Sequence, residues 1–124
     1  GTDRAGRLRA LNRYYRELLH ERIPELLAEW EPRMGVHAFE WRVKHMKTRW
    51  GSCNTSARRI WLNLELAKKP DRCLEYVLVH ELTHLLERNH TDRFRSLMDE
   101  FLPDWCVRRD ELNDSPLGHE EWGY

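Results

Sequence analysis

HELTHLLERNH, residues 80–90, holds three of the chain's seven histidines, and how it is read decides the fold. His80 and His84 are four apart, so on a helix they project from one face, a turn from each other, at a separation suited to grasping one ion. Leu82 points the other way, into a core. Glu81 lies about 100° around the helix from His80, too poorly aimed to ligate equally but able to reach a water on the ion. That is where a general base is needed. A catalytic zinc takes three protein ligands and leaves a fourth place for water, so a third ligand is expected. His90, where the chain turns out of the helix, is the best candidate, with Glu87 as runner-up. A salt bridge to a nearby arginine is the other expected use of Glu87.

Working outward, KKPD (residues 68–71) breaks the chain, and Asp71 is placed to cap a helix whose core face carries Leu74, Leu78, Leu82, Leu85 and Leu86. Asn89 suits a left-handed residue at its end, and Thr91 a cap for the next helix, with Phe94, Leu97, Met98, Phe101 and Leu102 as its apolar stripe. Pro103 and Asp104 start a last short helix with Trp105 and Leu112 as core residues. Residues 113–124 show no pattern and are expected to be a loosely held tail.

Upstream, Leu8, Leu11, Tyr15, Leu18, Leu19, Leu26, Leu27 and Trp30 recur at helical spacing, giving an amphipathic helix over residues 7–30 with a kink or restart at Pro24. Phe39, Trp41, Val43 and His45 alternate with polar residues, as do Ile60, Leu62, Leu64 and Leu66, so two strands are expected with one buried face each. The polar KTRWGSCNTSARR between them reads as a long hairpin connection. The result is an α+β fold: a compact core with a long N-terminal helix, a small antiparallel sheet, and the HExxH helix followed by one or two more.

With 124 residues the chain fits one domain, taken as residues 1–124. No apolar run approaches the roughly 20 residues of a membrane span, which argues against a membrane partner. Three scattered cysteines with no CxxC pair suit the cytosol rather than a disulfide framework; Cys73 and Cys106 read as core residues. Net charge is zero, yet residues 42–72 carry nine Lys or Arg against two acids, while residues 73–124 carry five Arg against twelve acids. Mutual neutralisation across the fold is the favoured reading, and a basic surface for an anionic partner the alternative.

RWGSC (residues 49–53), IWLNLEL (60–66), VLVHELTHLLERNH (77–90) and TDRF (91–94), in that order, resemble the YgjP-like metal-dependent hydrolases, relatives of the SprT-like zinc metallopeptidases. The resemblance extends over about residues 7–112. It implies a zincin-like, gluzincin-type core, one Zn2+ on His80, His84 and His90, and Glu81 as general base. It also implies an upstream β-rich portion that these residues do not contain, so the chain is expected to be the catalytic core of something longer.

The first functional expectation is therefore a zinc-dependent peptidase acting on a peptide or protein. Arg49, Lys47 or His45 would stabilise the oxyanion, and the strand with Trp61 and Asn63 would pair with substrate if it lies at a sheet edge. An alternative is a metal-dependent nucleoside triphosphate pyrophosphatase, with Lys44, Lys47, Arg49, Arg58 and Arg59 on the phosphates. A further alternative is a DNA-associated protease or nucleic-acid-binding module, with Trp50 and Trp61 stacking on bases.

Overall fold

The computed structural model describes residues 2–114. Its first helix, α1 (Thr2–Met34), has 33 residues and is about 50 Å long at 1.5 Å per residue. Pro24 lies inside it, and the expected restart is absent: the helix is continuous through this position. Its C-terminal half buries Leu19, Ile23, Leu26, Leu27, Trp30 and Met34, and Tyr15 is partly buried against the same core. Leu8, Leu11 and Leu18, expected on the core face, are exposed. Gly35, at φ 68°, closes the helix, its N–H bonded to the Glu31 carbonyl, a left-handed position that glycine takes without strain.

Three strands follow, β1 (Glu40–Lys44), β2 (Gly51–Asn54) and β3 (Arg59–Asn63), in the spatial order β1-β3-β2. β1 pairs parallel with β3, and β2 pairs antiparallel with it. The sheet is mixed, which corrects the expectation of an antiparallel one. The supposed hairpin connection contains the extra strand β2, whose GSCN carries too little alternation to be seen. The actual hairpin is β2–β3, turned by residues 55–58. There Asn54 Oδ1 accepts from the Ala57 N–H (3.0 Å) and Arg58 adopts φ 55°. With β2 beyond β3, residues 45–50 must cross the end of the central strand. β3 is thus not an edge, and β1 and β2 are.

The strand ends also differ from expectation. Leu64–Lys68 forms a 3-10 helix rather than an extension of β3, entered through Asn63, whose side chain accepts from the Glu65 N–H. Of the residues expected on the buried face of β1, Val43 is buried, Trp41 partly so, and Phe39 is 76% exposed.

The next helix, α2 (Asp71–Thr83), is the centre of the molecule, with ten of its thirteen residues buried. Leu78 and Leu82 are fully buried, each stabilising by about 1.5–3 kcal/mol through removal of its side chain from water. Pro70, not Asp71, stands at its N-cap. The Asp71 carboxylate instead receives both the Nε (2.7 Å) and a terminal nitrogen (2.9 Å) of Arg22, tying α1 to α2. Helices α3 (Asp92–Phe101) and α4 (Trp105–Leu112) close the other side, burying Phe94, Met98, Trp105 and Leu112. Glu75 joins three helices, accepting from Trp30 Nε1 (2.8 Å) and Arg108 (2.7 Å). Cys73 is buried as expected, but Cys106 is exposed. The expected tail beyond residue 114 lies outside the described residues. Among those described, no helix is long and apolar enough to cross a membrane.

Candidate metal centre

His80 and Glu81 belong to the last full turn of α2, and both are 1% exposed. The α-helix ends at Thr83, with His84, still in right-handed helical conformation, as the C-cap. The exit is not through a left-handed Asn89: among the described non-glycine residues only Arg58 has positive φ. The turn instead tightens, with the N–H groups of His84, Leu85 and Leu86 bonding three residues back to Glu81, Leu82 and Thr83. Arg93 reaches back from α3 to the Leu86 carbonyl (3.0 Å) and to Glu87 (3.1 Å). Thr91 then caps α3, accepting from the Phe94 N–H (3.2 Å). This corner aims His90 back at α2.

His90 Nε2 lies 3.2 Å from His80 Nε2 and 3.1 Å from His84 Nε2, and the three nitrogens fall within 4.8 Å of one another. Those separations fit one ion: nitrogens at zinc's bonding distance, at two corners of a tetrahedron, are about 3.3 Å apart. Burial lowers the proton affinity of all three imidazoles, that of His80 to well below the usual histidine range. Their neutral state is the one that ligates a metal. His84 Nδ1 donates to the Arg88 carbonyl (2.9 Å), which fixes the tautomer and leaves Nε2 as the ligating atom. Glu87, the alternative ligand, is engaged by Arg93.

Phe94 stands within 5.0 Å, centroid to centroid, of each of the three imidazole rings, making an apolar wall for the centre. Its place in the stripe of α3 predicts burial, and nothing in that stripe distinguishes this role. Gly51, which in the sequence stood only as part of the RWGSC stretch, opens β2 directly beneath Glu81. A Cβ there would lie 2.9 Å from Val77 Cγ1 and 3.1 Å from Glu81 Oε2.

The Glu81 carboxyl has its pKa pushed up to about 8 by burial, with the Arg49 charge pulling the other way. Its Oε2 is buried and has no hydrogen-bond partner among the described residues. Arg49 therefore acts on the same group as the expected base, and Lys47 is exposed on the same loop. His45 lies 3.8 Å from Glu65 Oε1 instead. Ile60 and Leu62 are fully buried and alternate with Trp61, so Trp61 takes the opposite face, where Lys44 sits 4.3 Å from its ring centroid. Asn63 is wholly buried, its amide committed to the crossing loop. Trp50 is 3% exposed and offers no face to a base. Cys53 is half-buried on β2, and burial pushes its thiol up to about 12, which makes it a poor nucleophile.

Pairing joins the basic and acidic segments at one point among the described residues, where Arg72 meets Glu111; Lys68 meets Glu65 within the basic segment, and both Arg42 and Arg59 meet Glu40 upstream of it. Lys44, Lys47, Arg49 and Arg58 have no carboxylate within 4 Å among the described residues.

Comparison with known proteins agrees with the architecture. The metallopeptidase zymogen of Pyrococcus abyssi, abylysin, is 19% identical, with a TM-score of 0.64 over 71% of this chain and 89% of that one. The metallopeptidase zymogen of Methanocaldococcus jannaschii, jannalysin, is 20% identical, with a TM-score of 0.59 over 68% of this chain and 86% of that one. At such identities the likeness is one of fold. Among curated proteins no sequence matches. The profile of the YgjP-like metallopeptidase domain, however, matches residues 1–115, and the chain belongs to the YgjP-like family.

Proposed function

We propose that this chain is a zinc-dependent metallopeptidase, with His80, His84 and His90 as metal ligands and Glu81 as general base. The observation that carries the reading is the convergence of three imidazole nitrogens within 4.8 Å of one another, with Glu81 next to His80 in the chain and its buried Oε2 accepting no hydrogen bond among the described residues. Three neutral imidazoles suit zinc among the first-row ions. When bound, the ion supplies Lewis acidity, which makes water a usable nucleophile near neutral pH.

Glu81 takes the proton that water gives up on attacking the peptide carbonyl, and delivers it to the leaving amine. Arg49 is the proposed partner of the tetrahedral oxygen, ahead of Lys47 on the same loop and of His45, which faces Glu65. Because β3 is central, the strand offered to an extended substrate is β2, whose outer edge is unpaired among the described residues and whose first residue adjoins Glu81.

The test is metal analysis of the wild type and Glu81→Gln, with each assayed on peptides and on nucleoside triphosphates. One zinc per chain is expected in both. Peptide hydrolysis is expected to fall by about 10²–10⁴-fold in the variant. Triphosphate cleavage without peptide cleavage would replace the reading with a pyrophosphatase; hydrolysis that survives the substitution would remove Glu81 as base.

A further inference from the structure

A side-chain amide has two donor hydrogens and two acceptor lone pairs, and Asn63 uses all four. Its Oδ1 accepts from the backbone N–H of Met46 (3.4 Å) and of Glu65 (3.0 Å), while Nδ2 donates to the carbonyls of Met46 (2.9 Å) and Arg49 (2.7 Å). Its own backbone N–H donates to the Trp50 carbonyl (3.0 Å). By strand alternation Asn63 shares the outer face with Trp61. Residues 45–50 cross over it and bury it completely. A loop so placed brings backbone polar groups out of water, and each needs a partner. Asn63 supplies several of them at one point.

The residue that follows the crossing is Gly51, paired with Leu62 in the sheet. An added Cβ would stand 3.1 Å from Glu81 Oε2, 2.9 Å from Val77 Cγ1 and 3.1 Å from the Trp61 carbonyl oxygen. Two of those neighbours, a backbone oxygen and a β-branched core side chain, have little room to yield. Glu81 thus rests on bare backbone, and its carboxylate position depends on where the crossing loop delivers that backbone.

We propose that Asn63 is a positioning residue for Glu81: by clamping residues 46–50 across the end of β3, it seats Gly51 beneath the Glu81 carboxylate. Asn63 itself touches none of the imidazoles. The inference rests on the proposed role of Glu81, and goes beyond it by assigning the distance-setting to a residue on another element.

Asn63→Asp is the decisive variant. It keeps the volume and the Oδ1 acceptor but replaces the donor nitrogen with an oxygen facing two carbonyls. Lys47 and Arg49 are the loop's trypsin sites, so limited digestion read by mass spectrometry reports the clamp without reference to activity. Cleavage there is expected to be roughly tenfold faster than in the wild type, because the loop opens locally, with cleavage after the α1 arginines unchanged. Zinc content is expected to stay at one per chain, with kcat falling by about tenfold to a hundredfold and KM staying within about twofold. Gly51→Ala, with the clamp intact, is expected to reproduce the kcat loss without the trypsin change. If Asn63→Asp does not fold, Asn63→Ser is put through the same two measurements. A zinc-loaded variant with an unaltered digestion pattern, or with wild-type kcat, overturns the proposal. A wild type that cleaves no peptide overturns the proposed function instead, and the digestion pattern still decides whether Asn63 clamps the loop.

Discussion

The N-terminal half of α1 and the whole of α2 read alike in sequence, with leucines at helical spacing, and they meet opposite ends in the fold. None of residues 3–18 is buried, whereas α2 buries ten of thirteen, including a histidine and a glutamate. The sheet, α1, α3 and α4 all pack against α2. Among the described residues, nothing comparable meets the first half of α1. Periodicity marks a face that can be buried; a neighbour of the right shape decides whether it is.

The comparison can be broken at its strong end. Leu82→Ala, between His80 and His84, is expected to cost about 2–5 kcal/mol, because the surrounding elements cannot collapse onto the gap. Urea unfolding measures it, and a cost under about 1 kcal/mol would mean that α2 packs as loosely as the start of α1. Glu75→Gln is next. It weakens the bonds from Trp30 and Arg108 while leaving Arg108 with a charge, and is expected to cost about 1–3 kcal/mol.

The pH dependence of the metal-free protein sharpens the contrast from the polar side. The Glu81 carboxyl keeps its proton to about pH 8 in the folded chain, while the unfolded chain loses it in the ordinary carboxylate range. Its contribution is therefore full at low pH and is lost as pH rises through about 8. His80 works in the other direction: folded, it resists protonation, so stability falls as pH drops below the ordinary histidine range. In the presence of chelator, the urea midpoint is expected to decline from about pH 6.5 to 8 in the wild type and to stay level over that window in Glu81→Gln. A level wild-type profile would mean that Glu81 is ionised in its buried position.

Smaller effects test the corner and the exposed helix. Thr91→Ala removes the cap of α3 and is expected to cost about 0.5–2 kcal/mol, together with weaker zinc binding, since His90 precedes the cap. Leu11→Ala is expected to change stability by less than about 0.5 kcal/mol. A larger loss would show that residues 3–18 are covered in solution.

The site was the most legible part of the chain. His80, His84 and His90 lie close in sequence, so one helix end and the corner after it bring three imidazole nitrogens within 4.8 Å of one another. Thr91 could be placed by its cap chemistry. The sheet was read less well because β2 exists through pairing rather than propensity: Gly51, Ser52, Cys53 and Asn54 carry no alternation, and only contact with β3 makes them a strand. Once β2 is missed, β1 and β3 look like a hairpin, and β3 looks like an edge. Asn63 was misjudged for the same reason. Its polar side chain occupies an outward position in the strand, and no local pattern can reveal that a loop crosses above it. The Asn89 turn failed differently, since backbone bonds from residues 84–86 and the reach of Arg93 perform the reversal that a left-handed residue would otherwise make.

The corner between α2 and α3 has one further consequence. His80 is anchored in the helix, His84 ends it, and His90 stands beyond it, so an ion held by all three would join rigid and turning backbone in a single chelate. Its departure would require the corner to open, and the opening is opposed by the Arg93 contacts and the Thr91 cap rather than by the core. The residence time of such an ion would then report on that corner, and exchange of a radioactive zinc isotope would time the opening of residues 84–91.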